Sequence, residues 1–290
     1  MSEENDQSQN EVRYIALLGN PNSGKTSVFN QLTGLHQKTG NFPGVTVDKK
    51  IGKLFLPDGR SVTLVDFPGT YSLYPTGLDE RVVVRTLSNP NDENYPDAIL
   101  YIADATRLEK HLLLFTQLQS LGIPILLGLN MSDLIKKSGI EPDLAQLSKD
   151  LSAPVVLFSG RTGEGIDALK VCLQKLLDPA YPSIYKSENN YSFSKEEEKV
   201  IAALKIFLPC LKPYQILLNA HHHEWLPHLS AAQRINIKQI LDEHQFKPLH
   251  FQVRETMQRY NKFLPVVHKV LRHNDPQAER RTDKIDRIIT

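Results

Sequence analysis

The sequence predicts a mixed α/β fold: a six-stranded, mostly parallel sheet with one antiparallel hairpin pair and helices on both faces, followed by a small all-helical domain. Three observations predict it. From Arg13 to about Leu177, short apolar runs alternate with amphipathic segments, the pattern of strand–helix units wound into a parallel sheet. Several of those runs are apolar at nearly every position, as strands buried on both faces require. All fifteen glycines lie between Gly19 and Gly165 and none in the last 125 residues, which suits a helical region without left-handed turns.

The elements follow in order. Residues 1–12 (MSEENDQSQN onward) are polar and acidic, the reverse of a secretory leader, and read as a disordered lead-in. Tyr14–Leu18, Leu54–Leu56, Val62–Val65, Ala98–Ala103, Ile123–Leu129 and Val155–Phe158 read as strands. Pro57-Asp58-Gly59 is a turn signal that pairs the second and third as a hairpin. Helices are expected at about 25–34, 78–88, 107–121, 142–151 and 165–177, closing a domain over residues 13–178. Prolines 179 and 182 mark a linker. A helical domain over 184–275 then contains a helix capped by Ser194 with Glu196–Glu198 in its first turn, and two more at about 230–244 and 248–272. Residues 276–290 read as a further linker.

Composition narrows the classes. The 290 residues are 40% hydrophobic and 23% charged, with net charge +1, so no global field points to nucleic acid. Cys172 and Cys210 make no disulfide framework, and a reducing compartment fits. No stretch approaches the roughly 20 apolar residues of a membrane helix.

The chemistry sits at strand ends. Gly19-Asn20-Pro21-Asn22-Ser23-Gly24-Lys25-Thr26 matches GxxxxGK[ST], directly after a strand and opening a helix that continues with Ser27. Such a loop turns backbone N–H groups onto phosphates, aims Lys25 at the β- and γ-phosphates and offers the Thr26 hydroxyl to Mg²⁺. Asp66-Phe-Pro-Gly69 ends the third strand, with a carboxylate for Mg²⁺ and a Gly69 N–H for the γ-phosphate. Asn130-Met131-Ser-Asp133 ends the fifth. An aspartate there accepts both N–H donors of the guanine edge, and leaving it unpaired is expensive, so discrimination of about 10⁴ is reasonable. Ser159-Gly160-Arg161 ends the sixth, where the Gly160 N–H reaches the guanine carbonyl. DxxG or NxxD alone usually marks a turn. All four motifs along the carboxyl edge of an open α/β sheet specify a P-loop GTPase fold binding GTP or GDP with Mg²⁺.

The span between the first helix and the second strand is where a first switch belongs, with a threonine for the Mg²⁺ shell. Gly44, Val45 and Thr46 precede the strand, and Thr46 is preferred over the alternative, Thr39. After Gly69 come Thr70 and Tyr71, with no glutamine to orient water, and the first switch holds no arginine. Asn22 is a candidate to hold a monovalent cation beside the phosphates, with a plain turn residue as the alternative. The candidate catalytic set is Asn22, Lys25, Thr46 and Gly69.

GNPNSGKTSVFN, GNFPGVTV, DFPGTYSLYP and NMSD together resemble the N-terminal cytosolic region of the FeoB family of bacterial ferrous iron transporters. The resemblance implies a GTPase domain followed by a helical dissociation-inhibitor-like domain, on the cytoplasmic face of the inner membrane. It implies slow GTP hydrolysis assisted by K⁺ at Asn22, with Thr46 completing the Mg²⁺ shell. Implied partners are the protein's own membrane-embedded transporter domain and small accessory Feo proteins, with a homo-oligomer possible in the full-length protein. The tail Arg281–Thr290 is similar to the family's lead-in to a membrane helix. An acidic residue matching Asp79 or Glu80 is linked there to hydrolysis or coupling; a solvated helix charge is the plainer reading. Gly160 replaces the family's common alanine, which should loosen that loop and favour GDP release.

His221-His222-His223 points in three directions on a regular helix and cannot chelate one ion, so a surface or partly buried cluster is expected, with Trp225 as a packing anchor. From Lys247 to Thr290 the chain carries ten basic and five acidic residues. That charge would suit anionic lipid or a solvated helix face. The rival reading is a ribosome- or RNA-associated GTPase gripping RNA with these helices, but the charge is modest and no RNA-binding module is present.

Overall fold

Seven strands form one sheet in the computed structural model, which describes residues 13–34, 37–43, 45–178 and 191–271. In chain order they are β1 Tyr14–Gly19, β2 Gln37–Asn41, β3 Asp48–Phe55, β4 Ser61–Asp66, β5 Ala98–Asp104, β6 Ile125–Asn130 and β7 Val155–Leu157. They lie in the order β2-β3-β4-β1-β5-β6-β7. The β4-β1-β5-β6-β7 block is parallel, while β3 runs antiparallel to both β4 and β2. The sheet therefore has one strand more than the six expected. The extra strand, β2, is exposed at every position, so it carries no apolar alternation to betray it. It lies in the first-switch span and includes Thr39, which pairs with Lys50.

Ten α-helices are described: α1 Lys25–Thr33, α2 Leu78–Leu87, α3 Leu112–Gln119, α4 Ser132–Lys137, α5 Leu144–Asp150, α6 Ile166–Leu176, α7 Lys195–Lys205, α8 Pro213–His222, α9 Ala231–Glu243 and α10 Pro248–Val270. The helix expected over 107–121 is divided, a 3₁₀ segment at Ala105–Lys110 preceding α3. Ser194 and Ser230 cap α7 and α9, each accepting from the backbone N–H three residues on, as the sequence predicts for a capping serine. Helix α8 had no place in the sequence reading. Tyr214 through Ala220 are all buried, and a helix buried all round has no polar face to give it a period. Among the described residues of the glycine-free region, Gln245 (φ 50°), between α9 and α10, takes a left-handed turn.

Alternate residues of β1 face opposite layers. Ile15 and Leu17 join Val28, Phe29, Leu32, Leu169 and Leu173 beneath α1 and α6. Ala16 and Leu18 join Val83, Val84, Leu114 and Phe115, and this second core runs on without a break into Val200, Leu204, Tyr214, Ile216, Leu217, Phe251 and Phe263. Helices α8 and α10 thus pack on the layer formed by α2 and α3, with α7 and α9 packed against α8. Polar side chains of α8 finish that contact: Gln215 Nε2 donates to Leu87 O at 3.2 Å and Asn219 Nδ2 to Ser88 O at 3.1 Å. Residues 179–190 and 272–290, which include most of the expected first linker and the tail Arg281–Thr290, lie outside the described residues, whereas Lys247 and α10 carry the other half of the basic residues counted from Lys247 on. Among the described residues no helix is long and apolar enough to cross a membrane.

Candidate functional site

The parallel register brings the motif-bearing strand ends to one edge. Leu17 pairs with Asp66, Gly19 with Ile102 and Asp104 with Asn130, so the loops after β1, β4, β5 and β6 open side by side, where open α/β sheets bind ligands. The first of them, Gly19 to Thr26, turns through Asn22 (φ 63°) and Gly24 (φ 87°). At Gly24 a side chain would be strained by that φ and would also collide with the Asn130 amide, so glycine is required there. Lys25 sits in this turn with its Nζ 3.4 Å from Gly19 O. Burial lowers its pKa, and the nearby Asp66 carboxylate works in the opposite sense. The same burial raises Asp66, countered by Lys25 and Lys50. Asp66 Oδ1 and Ser23 Oγ are buried without a hydrogen-bond partner in the protein. An orphaned carboxylate oxygen on Asp66, beside Lys25, fits a site for hydrated Mg²⁺.

Asn20 is buried, and its side chain is already committed. Its Nδ2 donates to Lys110 O at 2.8 Å, while the Tyr101 hydroxyl lies 2.9 Å from Asn20 Oδ1 and 2.6 Å from His111 O. Only its backbone is left for a ligand. Tyr101, in the middle of β5, is therefore a support of the loop after β1.

At the ends of β6 and β7 one side chain organises the loops. Asn130 is buried, with Oδ1 accepting from Gly160 N and Met131 N, both at 2.8 Å, and Nδ2 donating to Ser23 O at 3.0 Å. Met131 takes φ 70°, which turns the chain into α4 and presents Asp133. The Asp133 carboxylate accepts from Ser159 Oγ at 2.8 Å and from Arg161 Nη2 at 2.5 Å. The serine hydroxyl and then the guanidinium hold its pKa below the usual carboxylate value, so it is an acceptor at neutral pH. Gly160 is buried and held by Asn130, with Val28 Cγ2 3.1 Å from where a Cβ would stand. Pro21, Asn22, Thr26 and Ser27 complete the rim, the last three exposed.

The switch spans are less closely gathered. Gly69 packs against the phosphate loop, a Cβ there falling 2.9 Å from Pro21 N and 3.1 Å from Lys25 Nζ. Thr70 is buried with its hydroxyl on Ser72 O, whereas Tyr71 is exposed. Thr46 is exposed and, with Val45, lines a groove of about 890 Å³ walled by α2, Trp225 and Pro227. No phosphate-loop residue lines that groove. Gly44 lies outside the described residues. Glu80 caps α2, accepting from Thr76 N at 2.7 Å and Gly77 N at 3.2 Å, and Asp79 is exposed. The capping role accounts for Glu80.

His221 and His222 close α8 and face Leu73 and Tyr74, in the span after Gly69 where a second switch belongs. His222 Nε2 lies 2.9 Å from Leu73 O, and both imidazoles contact the Tyr74 ring. Burial lowers their pKa values to about 3 and about 4, so they are neutral packing groups. Among the described residues no cluster could hold a metal ion through His, Cys, Asp and Glu side chains. Trp225 is a packing anchor, its ring 5.1 Å from His222 and under the Arg81 guanidinium at 4.9 Å.

Known proteins share this arrangement. The family model described as ferrous iron transport protein B matches residues 13–173. An Fe(2+) transporter FeoB from Leptospira biflexa is 36% identical over 254 residues, covering 84% of this chain and 36% of that protein. The FeoB of Escherichia coli strain K12 is 43% identical over 165 residues, covering 56% of this chain and 21% of its own length. The chain thus spans well under half of the curated relatives it matches. Among solved structures, the cytosolic domain of L. pneumophila FeoB superposes with TM-score 0.69 at 28% identity, covering 86% of this chain and 97% of that one. A GDP-bound mutant of the S. thermophilus FeoB G-domain gives TM-score 0.67 at 29% identity, with coverage of 90% and 99%.

Proposed function

Because this chain belongs to the ferrous iron transport protein B family, we propose that it binds and hydrolyses GTP at the strand-end site and couples the nucleotide state to Fe²⁺ uptake by a membrane-embedded domain. The observation that carries the reading is the continuity of the site: Asn130 ties the guanine-reading loop to the phosphate loop through Ser23. A ligand with a guanine at one end and phosphates at the other fits that span. Lys25 meets the β- and γ-phosphates, the Gly69 N–H senses the γ-phosphate, and Asp133 accepts the guanine N–H donors. Thr26, Thr46 and Asp66 would hold Mg²⁺, which supplies charge neutralisation at the phosphates. Thr46 must come in from its groove to do so, a motion proper to a first switch.

No glutamine or arginine serves hydrolysis here, so the intrinsic rate is slow. Asn22, exposed on the phosphate loop, would hold K⁺ and supply the missing positive charge. Residues 13–178 form the GTPase part and 184–275 the helical part that reports on its second switch. The chain stands on the cytoplasmic face of the inner membrane, with the transporter domain and small accessory Feo proteins as partners. Titrating the purified chain with GTP and ATP in Mg²⁺ buffer tests the core of this. GTP binds and turns over and ATP does neither; equal handling of both nucleotides would refute the guanine site.

A further inference from the structure

The most buried charges in the described chain, Glu197, Glu255 and Arg259, each 1% exposed, lie outside the nucleotide site. Glu255 and Arg259 stand one turn apart on α10. Arg259 donates from Nε to Glu255 Oε1 at 2.6 Å, from Nη1 to Thr116 O at 2.7 Å and from Nη2 to Ser120 Oγ at 2.9 Å. Its guanidinium lies over the Tyr191 and Tyr214 rings. The Tyr214 hydroxyl donates to Glu255 Oε1 at 2.6 Å, and the Tyr74 hydroxyl donates to Oε2. Burial raises the pKa of both tyrosines well above the usual value, so each stays a donor at any working pH. A buried ion pair of this kind adds little stability over apolar residues of the same volume. What it does well is fix the groups around it in one arrangement.

The group it fixes from the nucleotide side is Tyr74, five residues after Gly69. Between them the chain is pinned again, with Leu73 N donating to Gln117 Oε1 at 2.8 Å and Leu73 O on His222. The far end of the second switch, the span that follows Gly69, is thus held at Leu73 and Tyr74 by α3, α8 and α10.

We propose that Glu255 is a positioning residue for GTP hydrolysis: through the Tyr74 hydroxyl it sets where the Gly69 backbone stands against the terminal phosphate. This rests on the GTPase reading above and gives it a route from α10 to the phosphates. Displacing α10 moves Glu255, and Glu255 carries Tyr74 with it.

Two matched variants of the full chain test it. Tyr74→Phe and Tyr214→Phe each remove one hydroxyl from the same carboxylate, and in each Glu255 keeps Arg259 and the other tyrosine. Only Tyr74 belongs to the switch. Tyr74→Phe lowers single-turnover GTP hydrolysis about tenfold, with GDP affinity changed less than about twofold, and speeds amide exchange over residues 70–75. Tyr214→Phe leaves both the rate and that exchange at parental values. Equal effects of the two variants, or parental exchange over 70–75 in Tyr74→Phe, overturn the proposal. A parent chain that does not hydrolyse GTP sinks the GTPase reading instead, and the exchange measurement still decides whether Glu255 holds the switch.

Discussion

Asn130 and Ser23 are joined by a 3.0 Å hydrogen bond from the amide nitrogen to the carbonyl oxygen, across 107 residues of sequence. The same amide's oxygen accepts from Gly160 and Met131, so three loops from three strand ends meet on one buried side chain. The loop after β1 and those after β6 and β7 are coupled while that hub is intact.

Asp133 gives the sharpest specificity test. Asn in its place offers one donor and one acceptor where two acceptors stood. Asp133→Asn shifts preference from GTP toward xanthosine triphosphate by about a hundredfold or more. Competition binding with the two nucleotides reads it, and an unchanged ratio would remove Asp133 from the base pocket.

Asn22 is exposed in a left-handed turn, and asparagine tolerates that conformation well. If it holds K⁺, parental hydrolysis is faster in KCl than in NaCl, and Asn22→Asp keeps the turn while changing the ligand. Asn22→Ala drops the KCl rate roughly tenfold, to the NaCl level. Equal parental rates in the two salts would rule the cation out.

Tyr101→Phe removes the hydroxyl that faces Asn20 and His111. A buried acceptor left without its donor costs about 1–3 kcal/mol, and here the cost falls on the phosphate loop. Lower stability in urea accompanied by weaker GDP binding is the expected pair of outcomes. Loss of stability with nucleotide affinity intact would make Tyr101 simple core.

The buried histidines predict acid sensitivity. His222, held at about 4 chiefly by burial, is neutral in the folded chain but binds a proton below about 6.5 when unfolded. Its folded pKa lies below its unfolded one, so its contribution to stability is complete above pH 6.5 and is lost as pH falls toward 4. Between pH 7 and 5 that amounts to about 2 kcal/mol for such a group. His111, also lowered to about 4 by burial, acts in the same direction. Urea unfolding at the two pH values measures the sum, and His222→Gln makes the dependence shallower. A slope unchanged by that substitution would mean His222 is not buried neutral.

What was legible in the sequence was whatever a strand end carries locally. Gly19–Thr26, Asp66–Gly69 and Asn130–Asp133 each combine an apolar run with a short motif, so both element and ligand chemistry show in one stretch. Polar, exposed β2 shows neither. Buried α8 has apolar residues on every side and so no period. Glu255, Arg259 and Tyr101 were missed for a different reason. Tyr74 and Glu255 are 181 residues apart, and a side chain whose partners lie that far away leaves no pattern around itself. The contact of His222 with the Leu73 carbonyl, 149 residues away in sequence, could likewise not be guessed from spacing.

The core that runs from Val83 and Phe115 into Val200, Leu217 and Phe263 bears on how the chain melts. Two bodies joined by a tether unfold in two steps, each at its own temperature. Here neither part can open without stripping apolar cover from the other, so unfolding should be a single cooperative transition, with calorimetric and van't Hoff enthalpies in agreement. Ligand bound at the strand-end loops would then stabilise α10, far from any phosphate, by the same increment as α1.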